Sequence, residues 1–274
     1  MATASVRPAA VAGQFYVNDE RILRAQIIEM LAAAKPQLRG TVPKAIIAPH
    51  AGYLYSGPIA ASAYEAVAPL AGSVRRIVLL GPTHRMAVAG FALPAAQVFM
   101  TPLGAVPVSR TDWLSLQARS DVSVDDRPHA REHALEVQLP FLQTLFDNFE
   151  IVPLLVGQAS PQAVAEVLAE LWGGPETLIV VSSDLSHYLP YRQAQWTDRA
   201  TIEQIIELRP TLTPEQACGA APINGLLLCA QRRMLIPQVL DLRNSGDTAG
   251  GRDSVVGYAS VAFSEPEPAT HARH

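Results

Sequence analysis

Cysteine is nearly missing from this sequence, with two residues, Cys218 and Cys229, in a chain of 274. So small a number excludes a disulfide framework and leaves each thiol to be explained on its own. Charge is also scarce. Charged residues make up 17% of the chain, below the usual quarter or so, and the formal net charge is −4 with no block of like sign. A surface that grips nucleic acid through its phosphates is therefore not expected. No apolar run reaches the roughly 18 residues of a membrane span. Met1 to Phe15 also lacks the basic-then-apolar order of a signal peptide, so the expectation is a soluble, cytoplasmic protein. Phosphate-cradling and dinucleotide glycine motifs are absent, and so is the Gly-x-Ser-x-Gly elbow that would give Ser182, Ser183 or Ser186 a hydrolase role.

What remains is an apolar chain, 49% hydrophobic, able to build a large core. Its organising stretch is Ile46-Ile47-Ala48-Pro49-His50-Ala51-Gly52-Tyr53. The apolar run Ala45 to Ala48 reads as a buried strand, Pro49 stops it, and an imidazole follows. The same design recurs at Ile77 to His84 and at Leu178 to His187. Open α/β sheets place their ligands at the carboxyl ends of buried strands. Three strands that each deliver a histidine predict one site fed from one edge of a sheet.

The rest of the chain supports that architecture. Asn18 or Asp19 would cap a helix to about Ala34, with Ile22, Leu23, Ile27, Ile28 and Leu31 on one face. Further helices are expected over 58–70, 132–142, 161–171, 191–208 and 214–233, the last opened by Thr213-Pro214-Glu215. Residues 88–110 read as an antiparallel excursion broken by prolines, and 150–156, 177–181 and 254–263 read as strands. Alternating strands and helices predict an α/β fold with a mainly parallel central sheet flanked by helices. A single domain over 1–263 and a disordered tail over 264–274 complete the expectation.

Three histidines on adjacent loop ends, His50, His84 and His187, can converge on a metal, although each alone is as readily a structural residue. Cys218 lies at a break between helical pieces, where a thiolate would be a soft ligand or a nucleophile. Cys229, among leucines, reads as core packing. His133 is favoured for the site and His129 for the surface, because Pro128 and a polar run argue against helix there. Asp184 would be a ligand, a carboxylate orienting a histidine, or a helix cap. Tyr53, Tyr55 and Tyr188 flank the histidines and would line the pocket or simply pack.

Seven blocks in order resemble the Memo family, whose bacterial and archaeal members are called AmmeMemoRadiSam system protein B. They are Val11 to Tyr16, Ala48 to Gly57, Gly81 to His84, Glu132 to Pro140, Ser182 to Tyr188, Ala217 to Gly219 and Val256 to Phe263. The resemblance implies a fold similar to the class III extradiol dioxygenases, which hold non-haem Fe(II) with two histidines and a carboxylate. It assigns His50 and His84 to the histidine positions, His187 to the acid/base position, and Cys218 to the place of the carboxylate. A thiolate there favours softer metals, copper or zinc beside iron, and is itself oxidisable. The implied function is a metal-dependent redox enzyme, with Asp184 orienting His187, His133 in the outer shell or on substrate, and the tyrosines on an aromatic small molecule or peptide. The alternative is a non-catalytic binding or adaptor module. Vertebrate relatives look like signalling adaptors, and prokaryotic ones are associated with radical-SAM and AMMECR1-type partners. A metal-dependent hydrolase is a third reading.

Overall fold

The apolar runs that end in histidines become the heart of a sheet. The computed structural model describes residues 5–40 and 42–266. Its first half contains β1 (Val6–Arg7), α1 (Glu20–Ala33), β2 (Pro43–Ala48), α2 (Tyr53–Val67), β3 (Arg76–Pro82) and β4 (Phe91–Leu93). There follow β5 (Val98–Thr101), β6 (Gly104–Pro107), α3 (Arg110–Leu116), β7 (Val122–Val124), α4 (Asp126–Ala130) and α5 (Leu139–Leu145). The second half contains β8 (Glu150–Val156), α6 (Pro161–Leu171), β9 (Thr177–Ser182), β10 (His187–Leu189) and α7 (Tyr191–Ile206). It closes with α8 (Ala220–Arg233), β11 (Ile236–Asn244) and β12 (Val255–Ser264).

Strands β2, β9, β3 and β8 lie side by side and parallel, with Ile47 beside Val181, Val181 beside Leu80, and Pro82 beside Val156. Every residue of β2 and β9 is buried, as a parallel sheet covered on both faces requires. Both margins are antiparallel: β12 against β2 and β11 on one side, β4 against β8 on the other. The sheet is thus mixed, parallel only at its centre and in the β4–β7 pair. One face is covered by α6 and α8 through Val164, Leu168, Ile223 and Leu226. The other is covered by α1, α2 and α5 through Leu23, Ile27, Tyr64 and Phe141. A small sheet of β1, β5 and β6 sits apart, its β5–β6 pair forming the antiparallel excursion expected for this region.

Several expectations need correction. α1 is capped by Asp19 as anticipated, its carboxylate accepting from Ile22 N–H, but Ile22 and Ile28 face solvent and only Leu23, Ile27 and Leu31 are buried. α2 begins at Tyr53 rather than Pro58, so the proline stands inside the helix. No continuous helix runs from Glu132: the chain makes a turn and a single 3-10 turn before α5, because Pro140 cannot donate to a preceding turn. α8 starts at Ala220, with turns at 214–216 and 218–219. β11 was not expected, since Pro237 and a bulge between Val239 and Asp241 hide its alternation. His129 is not at the surface. It sits 1% exposed on α4, where Pro128 falls in the first turn and lacks only an N–H that needs no partner. The last strand extends to Ser264, and the tail beyond residue 266 lies outside the described residues. Among the described residues no helix is long and apolar enough to cross a membrane.

Candidate metal centre

Because β2, β9 and β3 are parallel neighbours, their carboxyl ends share one edge of the sheet. His50 stands two positions past the end of β2, and His84 two past β3. The loop after β9 leads to His187 at the start of β10. A third imidazole, that of His133, arrives from the turn ahead of α5. That turn lies directly on β3 at Gly81, where a Cβ would fall 2.9 Å from Leu135 Cδ2 and 3.2 Å from Ala134 Cβ. Glycine at 81 is what lets the turn approach.

His50, His84 and His133 each offer a ring nitrogen, and these atoms all lie within 4.8 Å of one another. The His84 and His133 rings stack at 4.6 Å, and His50 meets them edge-on at 5.1 and 5.2 Å. His50 is buried, whereas the His84 and His133 side chains are 25% and 13% exposed, so the cluster opens on their side. Phe15 closes against His133 at 4.8 Å.

Hydrogen bonds settle which nitrogens are bare. Ser182 Oγ lies 2.6 Å from the Ala134 carbonyl, 2.8 Å from Gln138 Nε2 and 2.8 Å from His50 Nδ1. Gln138 Nε2 also faces the Pro49 carbonyl at 3.0 Å, while its Oε1 accepts from the Tyr64 hydroxyl at 2.7 Å, which fixes the amide orientation. A hydroxyl has one proton, and the Ala134 carbonyl can only accept, so Ser182 accepts from both other partners. His50 therefore carries its proton on Nδ1 and a lone pair on Nε2. Glu132 acts in the same way on His84: Oε1 accepts from Nδ1 at 2.8 Å and Oε2 from the backbone N–H at 2.6 Å. His133 Nδ1 is buried and makes no hydrogen bond, although Glu132 Oε1 lies 3.3 Å away.

Electrostatics keep the His50 and His133 rings neutral. Burial, and then the neighbouring His84, hold the His50 pKa well below the ordinary imidazole range. Burial, then His50, lowers His133 to about 4. For Glu132 burial works upward, but hydrogen bonds from the His84 ring and from backbone N–H groups prevail and hold the carboxyl down to about 2.

Cys218 Sγ lies 3.3 Å from His50 Nε2, beside the cluster rather than within its three-imidazole group. It accepts from Asp184 N–H at 3.3 Å, and burial, then the Asp184 charge, push the thiol up to about 12. Asp184 is buried and takes the His50 backbone N–H at 2.7 Å, while its charge also interacts with His187. His187 is half-buried outside the cluster, next to Tyr188 at 5.8 Å. Tyr55 and Tyr188 are 38% and 77% exposed, the latter held at φ 58°. Tyr53 instead packs in the core and donates to the Val137 carbonyl at 2.7 Å. Cys229 is buried in the core, as expected. Glu132, Gln138 and Ser182 were not anticipated as partners of the histidines. The signal of Gln138 and Ser182 was polarity beside apolar neighbours, whereas Glu132 lay in a polar stretch.

A family model described as Memo-like protein matches residues 7–262. The chain belongs to the Memo family. A MEMO1 family protein of Sulfolobus acidocaldarius is 37% identical, the alignment covering 95% of this chain and all of the relative. Another, from Methanosarcina barkeri, is 36% identical over 93% of this chain and 99% of its own. Among solved structures, an uncharacterized protein from Escherichia coli K12, JW3007, superposes with a TM-score of 0.53 at 14% identity. It covers 81% of this chain and 99% of its own, a likeness of fold. In this Memo chain the donor set suits a metal on three counts: two bare Nε2 lone pairs, a buried Nδ1 on His133 that makes no hydrogen bond although Glu132 Oε1 lies 3.3 Å away, and carboxylate and hydroxyl partners behind His84 and His50.

Proposed function

We propose that this Memo-family protein holds a transition-metal ion at His50, His84 and His133, with Cys218 as an adjoining soft donor, and uses it in a redox reaction. The supporting observation is the convergence of three ring nitrogens within 4.8 Å, two of the rings being fixed from behind by Ser182 and Glu132. Imidazole with thiol is a donor set for iron, copper or zinc. A bound ion would supply Lewis acidity and, if iron or copper, electron transfer. His187 would act as acid/base beside the cluster. Asp184 would fix the His50 backbone, and Tyr55 and Tyr188 would meet an aromatic or peptide substrate.

The test is metal content by mass spectrometry on anaerobically purified protein, beside His50→Ala and Cys218→Ser. The expected result is stoichiometric iron or copper in wild type, lost in His50→Ala and reduced in Cys218→Ser. Full metal retention in His50→Ala would overturn the assignment. A wild type that takes up no metal on reconstitution would favour the second reading, a binding module for radical-SAM and AMMECR1-type partners. The exposure of Leu54 and Tyr188, 66% and 77%, is the observation on that side.

A further inference from the structure

The loop between β9 and β10 touches the candidate centre at several points. Through Asp184 it takes the His50 backbone N–H and offers its own N–H to Cys218 Sγ, and it ends at His187. What holds this loop from behind is not part of the centre. The Leu185 N–H donates to the Gly257 carbonyl at 2.8 Å, and Gly257 N–H returns to the Ser186 carbonyl at 2.8 Å, which splices the loop to β12. The remaining N–H, that of Ser186, donates to Asp198 Oδ1 at 3.0 Å.

Asp198 lies on α7 and is 2% exposed. A carboxylate so deeply buried is costly unless something requires its acceptors. The fold makes room for it: a Cβ on Gly257 would lie 2.0 Å from Asp198 Oδ2, so β12 gives up a side chain where the carboxylate enters. The same glycine makes both backbone bonds to the loop. Three elements therefore meet at one point, where the Asp198 carboxylate is the side-chain group that takes the Ser186 N–H.

We propose that Asp198 is a positioning residue, its carboxylate setting, through the Ser186 N–H, the loop that carries Asp184 and His187 to the candidate centre. The inference rests on the metal-binding reading for its functional meaning, although the clamp itself does not. Asparagine at 198 retains an amide oxygen that can accept from Ser186 N–H, whereas alanine retains none.

The experiment compares wild type, Asp198→Asn and Asp198→Ala after reconstitution with Co(II), reading the ligand-field and thiolate charge-transfer bands and the Co(II) affinity. Loss of groups that support metal ligands costs on the order of 10- to 100-fold in affinity. The expected result is about a tenfold weaker Co(II) affinity with shifted bands in Asp198→Ala, and wild-type behaviour within about twofold in Asp198→Asn. A folded Asp198→Ala with the wild-type spectrum and affinity would overturn the proposal. If the alanine variant does not fold, amide exchange in wild type decides: protection of the Ser186 N–H supports the clamp, and exchange at the rate of an open loop overturns it. If wild type takes up no Co(II), the metal reading fails separately, and the imidazole 15N shifts of His50 and His187 replace the cobalt bands. A change in Asp198→Ala with none in Asp198→Asn supports the clamp, and no change in either overturns it.

Discussion

Ser182 has one proton and three partners, and that arithmetic determines what His50 can do. The Ala134 carbonyl takes the hydroxyl proton, so the oxygen accepts from Gln138 and from His50 Nδ1. Replacing Ser182 with alanine leaves the His50 Nδ1–H buried without an acceptor, leaves Gln138 Nε2 with the Pro49 carbonyl, and frees the His50 ring to change tautomer or turn. Partners of this kind typically contribute 10- to 100-fold to metal affinity. Ser182→Ala is expected to lose affinity in that range, read by competition with a chelator, with little change in secondary structure by circular dichroism. Unchanged affinity would mean that packing alone orients the ring. Cys218 shows the same dependence on neighbours. Its thiol is pushed up to about 12 by burial and the Asp184 charge, so it becomes a ligand only if a metal displaces its proton.

At the scale of elements, the segment ahead of α1 and the turn ahead of α5 are joined through one guanidinium. Arg7, on β1, pairs with Glu136 and donates to the backbone carbonyls of Glu132, at 2.6 Å, and His129, at 2.9 Å. Glu136 is fully buried and also accepts from the Ala10 and Val11 N–H groups at 2.7 and 3.0 Å. The turn held in this way presents His133 and Glu132 to the cluster. Removing one partner of a buried ion pair leaves a charge without compensation, at a cost of about 3–5 kcal/mol. Arg7→Met should lower the urea midpoint by a corresponding amount, and Arg7→Met with Glu136→Gln should recover part of the loss. If the double variant were no more stable than the single, the ion pair would not be the source of the effect.

For the whole molecule, the buried imidazoles set the response to acid. His129 donates through Nε2 to the Ala92 carbonyl at 3.1 Å, and burial lowers its pKa to about 4. An imidazole with a folded pKa below its unfolded value of about 6.5 contributes fully above that value, and the contribution is lost as pH falls toward 4. His133, lowered to about 4, and His50 act in the same direction. Asp198 opposes them, since burial raises its carboxyl to about 6 and its contribution falls as pH rises from about 4 to 6. Burial raises the Asp184 carboxyl as well, so three imidazoles stand against two carboxyls, and stability should fall between pH 6.5 and 4. A folded His129→Gln variant should flatten that fall by on the order of 3 kcal/mol, since one pKa unit is about 1.4 kcal/mol. Urea denaturation at several pH values measures both slopes, and parallel curves for the two proteins would remove His129 from the account.

Local order in the sequence determined the α/β class, the strands that end in His50 and His84, the Asp19 cap and the burial of Cys229. Each depends on a few neighbouring residues, through periodicity, a proline stop or a capping oxygen. Tertiary structure alone decided that β9 lies between β2 and β3, and with it the shared edge. It also moved His133 from the outer shell into the three-imidazole group, left Cys218 beside that group at His50, and joined Gln138 to Ser182 across 44 positions. The same holds for the burial of His129 and the packing of Tyr53, whose surroundings come from distant elements. The direction of a side chain, the nitrogen that bears its proton and the water it loses are set by whatever packs against it. No local pattern carries those contacts, because the residues that make them become neighbours only when the sheet forms.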